Sequence, residues 1–241
     1  MVVVPDLSLT SPRFQDLANA INLLKMELLP ENLEDTQFSV RYYQFSNDDL
    51  SRLSTQVKAF IALSHAEIEA YIEKMAIEIL TKAIEDLWKS QNRVSIPLLT
   101  LMIFFPQRKD NDTLKFNRDI QDVQRNKLET YIDDEIQRVN DAFRKRVKDN
   151  HGIREANLYS LLLPLGLKID IFDNLWIREI EYLANERGEI VHQSRSSMSQ
   201  PLNPKDKLEQ VHKIIYGRDL ENRTIFNGLI GIDQELRSLC V

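Results

Sequence analysis

The chain has 241 residues, 43% hydrophobic and 28% charged, with a formal net charge of -6. That balance fits a globular protein with one sizeable core. It excludes a protein that coats a nucleic-acid duplex through many basic contacts, and leaves room for a nucleic-acid enzyme with a locally positive cleft. The six glycines form no phosphate-cradling loop, and the single cysteine, Cys240, excludes a disulfide framework or a cysteine metal site within one chain.

The first residues, MVVVPDLSLT, have neither a basic region nor a long apolar stretch, so no signal peptide is expected. The longest apolar runs are too short to span a bilayer, which makes a cytoplasmic protein with no membrane partner the expectation. The spacing predicts a first helix over Asp16–Leu29, with Leu17, Ala20, Ile21, Leu24 and Leu28 on one face and Pro30 as its stop. The polar and aromatic stretch TQFSVRYYQFSNDD reads as a loop or a short extended piece. Capped by Asn47 or Asp48, a long amphipathic helix follows over Asp49–Lys89, its buried side carrying Phe60, Leu63, Ile68, Tyr71, Ile72, Met75, Ile79 and Leu80. The proline-bounded run LLTLMIFFP is a short buried helix or a strand, which periodicity alone does not decide.

After a charged connector, Asp119–Lys148 reads as a second long helix whose basic end, RKRVK, suits a helix C-terminus. Its apolar positions are Ile120, Val123, Leu128, Tyr131, Ile132, Ile136, Val139 and Phe143. A glycine turn and a short helix lead to Pro164 and Gly166. A helix restarts near Asp173, with Leu175, Trp176, Ile180 and Leu183 on its apolar side. A polar loop precedes a helix from Pro204 to Tyr216, and a last helix is expected from Asp219 to Leu239. The sum is a mostly helical domain built as a bundle.

Arg187 and His192 stand in ERGEIVH at the end of the Trp176 helix. Five positions on a regular helix differ by about 140° in direction, so the pair shares one cleft only if the helix bends or frays, and Gly188 offers such a place. Brought to one phosphate, the two have a chemistry. RNA carries its own nucleophile, the 2′-OH; His192 takes or gives a proton, and Arg187 holds the phosphate and offsets charge in an in-line transition state. The same pair also reads as the polar end of a surface helix.

His65, Glu67 and Glu69 on the long helix offer support from across the cleft, orienting Arg187 or tuning His192; a carboxylate beside a histidine holds its tautomer and raises its pKa. Their alternative is an exposed face on which Glu69 and Glu73, at i and i+4, repel. Arg195 is a substrate-phosphate candidate or a loop residue. The cluster Arg144, Lys145, Arg146 and Lys148 either guides RNA or serves the helix dipole. His151 reads as part of a turn and His212 as a packed helix residue. Trp176 belongs to the core rather than to base stacking. The four histidines are too scattered for a zinc site, and Ser64, Ser196 and Ser197 make no triad.

Three blocks carry a resemblance: LSHAEIEAYIEKMA (63–76), NHGIREANLYSLLLPLGL (150–167) and LWIREIEYLANERGEIVH (175–192). In order and spacing they resemble the HEPN superfamily, most closely its RiboL-PSP branch, over roughly Ser54 to Tyr216. The resemblance implies an all-α, HEPN-like helical bundle with a four-helix core. Residues 1–53 are then an N-terminal helical extension or arm, 54–216 the HEPN-like domain, and 217–241 a C-terminal helix packed on it. Active relatives are metal-independent endoribonucleases without a cofactor, and their signature, an arginine and a histidine four to six residues later, maps onto Arg187 and His192. Many carry a polar residue, often asparagine, directly after the arginine; Gly188 stands there in this chain. The resemblance further implies RNA as substrate, a homodimer with a shared cleft, a toxin or defence role, and an antitoxin protein as partner. Other relatives have lost catalysis and bind RNA or a protein.

Overall fold

The computed structural model describes residues 10–31, 33, 46–105, 121–192, 202–220 and 223–240. Among them are eight α-helices: α1 Pro12–Leu28, α2 Asn47–Thr81, α3 Ile96–Phe104, α4 Gln121–Lys148, α5 Glu155–Leu162, α6 Asn174–His192, α7 Pro204–Tyr216 and α8 Gly228–Ser238. The fold is an all-α bundle organised around α2, which packs against every other helix and continues into a π-helical segment, Lys82–Lys89.

The helices form where periodicity predicts them, with local corrections at their ends. Ser46, not Asn47 or Asp48, caps α2, its Oγ accepting the Asp49 N–H at 3.2 Å. On α2, Phe60, Ile61, Ile68, Ile72, Ala76 and Leu80 are buried, whereas Leu63 lies outside the stripe and is exposed. The ambiguous LLTLMIFF run is helical: the Ser95 hydroxyl accepts the Leu98 N–H and Pro97 occupies the first turn, both helix-starting signals. Ile96, Leu99, Ile103 and Phe104 remain exposed.

Helix α1 shares the main core through Phe14, Leu17 and Ile21. From α4 the core receives Ile136, Val139, Phe143 and Val147, while Tyr131 is exposed; the side chains of Val123 and Leu128, Ile120 and both flanking connectors lie outside the described residues. The largest correction is at the C-terminus. The expected helix from Asp219 begins only at Gly228, and residues 218–226 instead contain a two-stranded antiparallel hairpin, β1 Arg218–Leu220 with β2 Arg223–Phe226. Gly217, at φ 82°, ends α7, and Thr224 and Ile225 are β-branched residues suited to a strand. Among the described residues, no helix is long and apolar enough to cross a membrane.

Candidate functional site

Helix α6 opens where Asp173 Oδ1 accepts the Leu175 N–H at 2.7 Å and the Trp176 N–H at 3.4 Å. Trp176, Ile177, Ile180, Leu183 and Ala184 are buried, while Leu175 faces outward. The Trp176 indole donates to the Ile214 carbonyl at 3.0 Å, which fixes that ring in the core. Continuing the stripe by helical steps from Ile180 and Leu183 leads to Arg187. A half-buried arginine thus occupies a position where the pattern calls for an apolar residue.

The facing stripe of α2 is interrupted in the same way. His65 stands one turn from Ile61 and Ile68 and is only 4% exposed; its neighbour Ser64 is fully buried, with no hydrogen-bond partner for its hydroxyl among the described residues. Burial, then the positive charge of Arg187 and next that of Arg154, pushes the His65 pKa down to about 4. Its Nδ1 lies 3.7 Å from Glu69 Oε2. Here the carboxylate beside a histidine belongs to His65 rather than His192, and burial and the two guanidinium groups set the direction of its shift. At neutral pH this contact therefore joins a neutral imidazole to a carboxyl group and is not an ion pair. Glu69 itself is pushed upward by burial and by Glu73, the i,i+4 repulsion expected from the sequence. The Gly152 N–H, Arg187 and His151 oppose that rise.

The loop before α5 closes the site through a network the sequence reading did not identify. Asn150 Nδ2 donates to Glu73 Oε1 at 2.8 Å and to the Gly152 carbonyl at 3.0 Å, while Asn150 Oδ1 accepts from Asn157 at 2.9 Å. Gly152 lies at φ 142°, a conformation that side-chain-bearing residues rarely adopt. On the α6 side, Arg154 donates to Glu181 at 2.9 Å and to Asn185 at 2.6 Å, and Glu181 also accepts the Glu155 N–H at 2.8 Å. Glu181 thereby caps α5 from another helix, a favourable place for a carboxylate. A second tie lies one residue before Arg187: buried Lys207 of α7 pairs with Glu186 and sits 4.8 Å from the Tyr182 ring centroid.

The structure thus brings Arg187, His65 and Glu69 together and adds His151, which the sequence reading treated as turn structure. His192 is exposed at the last residue of α6. The helix runs unbroken through Gly188, so the bend that would bring His192 round to Arg187 is not present, and the two directions differ by about 140°. Glu67 is exposed, and Arg195 lies outside the described residues. His212 packs against Tyr216 with ring centroids 5.6 Å apart. Within the basic cluster, Arg144 bonds Asn140 and Thr81, Lys145 pairs with Asp149, and Arg146 stacks on Phe105. Among the described residues, no group of three or more His, Cys, Asp or Glu side chains is placed to hold a metal ion. The Asn150 and Arg154 networks had one faint signal in sequence: Glu73 continues the His65–Glu69 face by another turn.

A family model described as RiboL-PSP-HEPN matches residues 15–221, which supports a ribonuclease-type function in broad terms. The match begins inside α1, within the segment the sequence reading set apart as an extension. No curated protein and no solved structure matches the chain. With most of its length covered by that family model, the chain belongs to the RiboL-PSP-HEPN family.

Proposed function

We propose that the protein is a metal-independent endoribonuclease in which Arg187 binds the scissile phosphate. The carrying observation is a guanidinium on the core-facing stripe of α6 that, among the described residues, makes no hydrogen bond or ion pair, although Glu69 and His65 feel its charge. Placing a cation there carries a desolvation cost that a bound phosphate offsets. In the reaction, the 2′-oxygen gives up its proton to a base, bonds to phosphorus and displaces the 5′-oxygen, which takes a proton from an acid. The products are a 2′,3′-cyclic phosphate and a 5′-hydroxyl. His192 is one of the proton-transfer groups, and its exposed place at the end of α6 suits a cleft shared between two copies of the chain. Arg195 contributes to phosphate binding, and an antitoxin partner and a toxin or defence role belong to the same reading.

A second reading is favoured by the direction of His192: in a straight helix it turns away from Arg187, as expected of a non-catalytic HEPN module that binds RNA or a protein. Cleavage of total RNA in excess EDTA separates the two. Wild type should cleave, whereas Arg187→Ala and His192→Ala, with unchanged helicity and oligomeric mass, should each lose on the order of 100-fold. Equal activity in all three would refute the assignment. No cleavage by well-folded wild type, with RNA still bound, would establish the second reading.

A further inference from the structure

Neither His65 nor His192 is placed to move a proton beside Arg187 within one chain. His65 is buried and held neutral, so it is a poor proton donor at physiological pH. His192 is carried away by the turn of the helix. One other histidine lies beside this site.

His151 is exposed, and among the described residues no hydrogen bond holds its imidazole. Its backbone, by contrast, is pinned. Asn150 on one side is bonded to Glu73, and the same amide reaches the Gly152 carbonyl on the other, so the loop is held against α2 at Glu73. Two residues on, Arg154 and the Glu155 N–H are fastened to Glu181 and Asn185 of α6, six and two residues before Arg187. The loop is thus stapled to both helices that build the site, with a free imidazole between the staples. Glu69 of α2 and Asp149 of its own segment feel the His151 charge; Glu73 is bonded to neighbouring Asn150, Arg154 follows three residues on, and the Arg187 charge reaches the same Glu69 from α6. Exposure of a side chain on a fixed backbone is the arrangement that proton transfer to a bound substrate requires.

We propose that His151 is a second proton-transfer residue of the Arg187 site, acting on the phosphate that Arg187 binds; this rests on the ribonuclease reading above. Of the two protons moved during cleavage, one leaves the 2′-OH and one reaches the 5′-oxygen, and His151 handles one while His192 handles the other. Because the His151 side chain is exposed and, among the described residues, makes no hydrogen bond or ion pair, replacing it should leave the fold intact.

Two measurements test this. The first is the pH–rate profile of RNA cleavage in EDTA for wild type, His151→Gln and His192→Gln. His151→Gln should lose on the order of 100-fold and flatten one limb of the profile, with His192→Gln flattening the other. An unchanged rate and profile for His151→Gln would overturn the proposal. The second does not depend on cleavage: the His151 ring-proton NMR signal, identified by its loss in His151→Gln, is titrated with and without inorganic phosphate. Phosphate should raise its titration midpoint in wild type and not in Arg187→Ala. A midpoint unmoved by phosphate in wild type would sink His151 as a phosphate neighbour. A phosphate-sensitive His151 in a protein that cleaves no RNA would retain the anion site and reject the ribonuclease reading together with the proton-transfer role.

Discussion

Two polar assemblies cross the core of this bundle, and they are built on opposite terms. At one, Asp233 of α8, only 2% exposed, accepts from the Ser11 N–H at 2.9 Å, the Ser11 hydroxyl at 2.5 Å and the Tyr71 hydroxyl at 3.0 Å. Ser11 also accepts the Phe14 N–H at 3.0 Å, so one carboxylate is joined to the start of α1, the middle of α2 and α8. At the other, Arg187, His65 and Glu69 lie together with a depressed histidine, a raised carboxyl and a guanidinium that no described residue pairs. Buried polar groups that are fully satisfied fasten a fold; groups held in an unfavourable electrostatic setting are kept for what they do. The Asp233 assembly joins residues outside the family-matched segment to one inside it, whereas every member of the Arg187 cluster lies within that segment.

The comparison is broken most forcefully at Asp233. Asp233→Ala removes three hydrogen bonds to a carboxylate and leaves buried donors unsatisfied, which should cost about 4 kcal/mol of stability. Chemical denaturation measures this directly, while the protein that remains folded should cleave RNA at its ordinary rate. A loss below about 1 kcal/mol would mean that water replaces the carboxylate and that the assembly does not fasten the fold.

The Arg187 cluster should show itself in the pH dependence of stability. His65 titrates near 6.5 when unfolded and near 4 when folded, so between those values the unfolded chain binds more protons. Its contribution is therefore complete above pH 6.5 and is lost as pH falls toward 4, by roughly 3 kcal/mol at about 1.4 kcal/mol per unit. Glu69 acts in the opposite sense. Its raised pKa means that the folded state takes up a proton first, and stability lost as pH rises through its titration returns as pH falls. Denaturation curves at several pH values should therefore show a decline in wild type that His65→Gln abolishes. Arg187→Ala should weaken the decline by letting the His65 pKa rise. Parallel curves for all three proteins would show that His65 is not held neutral by its surroundings.

Much of this was legible in sequence, because apolar periodicity reports which helix faces are buried. It placed α1, α2, α4, α6 and α7, and drew attention to Arg187, His65 and Glu69 as polar residues of note. It overstated the width of the buried faces at Leu63 and Leu175, since neighbouring positions on the same turn already fill the contact. The β1–β2 hairpin was hidden because pairing between short strands is not a local property, and Ile225, Leu229 and Ile232 also fit a helical spacing. The turn carrying His151 was legible, but its anchoring was hidden for a related reason. Its anchors join residue 150 to residues 73 and 157, and residue 154 to residues 181 and 185. Hydrogen bonds between distant segments leave no period along the chain.

The finest distinction concerns Gly188, where the sequence suggested a hinge and the structure has continuous helix. A Cβ built there meets nothing within 4 Å, so the glycine is required neither by packing nor by backbone conformation. Gly188→Ala should then stabilise the protein by about 0.5–1 kcal/mol, because alanine is the better helix former and restricts the unfolded chain. If Arg187 and His192 act from a rigid helix, cleavage by Gly188→Ala should stay within about twofold of wild type, the range of an innocuous surface change. Gly188→Asn, which introduces the residue many relatives carry, should be at least as active. The opposite result has a specific meaning: a more stable Gly188→Ala protein that no longer cleaves RNA would require α6 to open at Gly188 during the reaction. His192 would then swing toward Arg187 within one chain, and the second proton would need no help from His151. Thermal denaturation and RNA cleavage on the same two variants therefore decide between a fixed site and a hinged one.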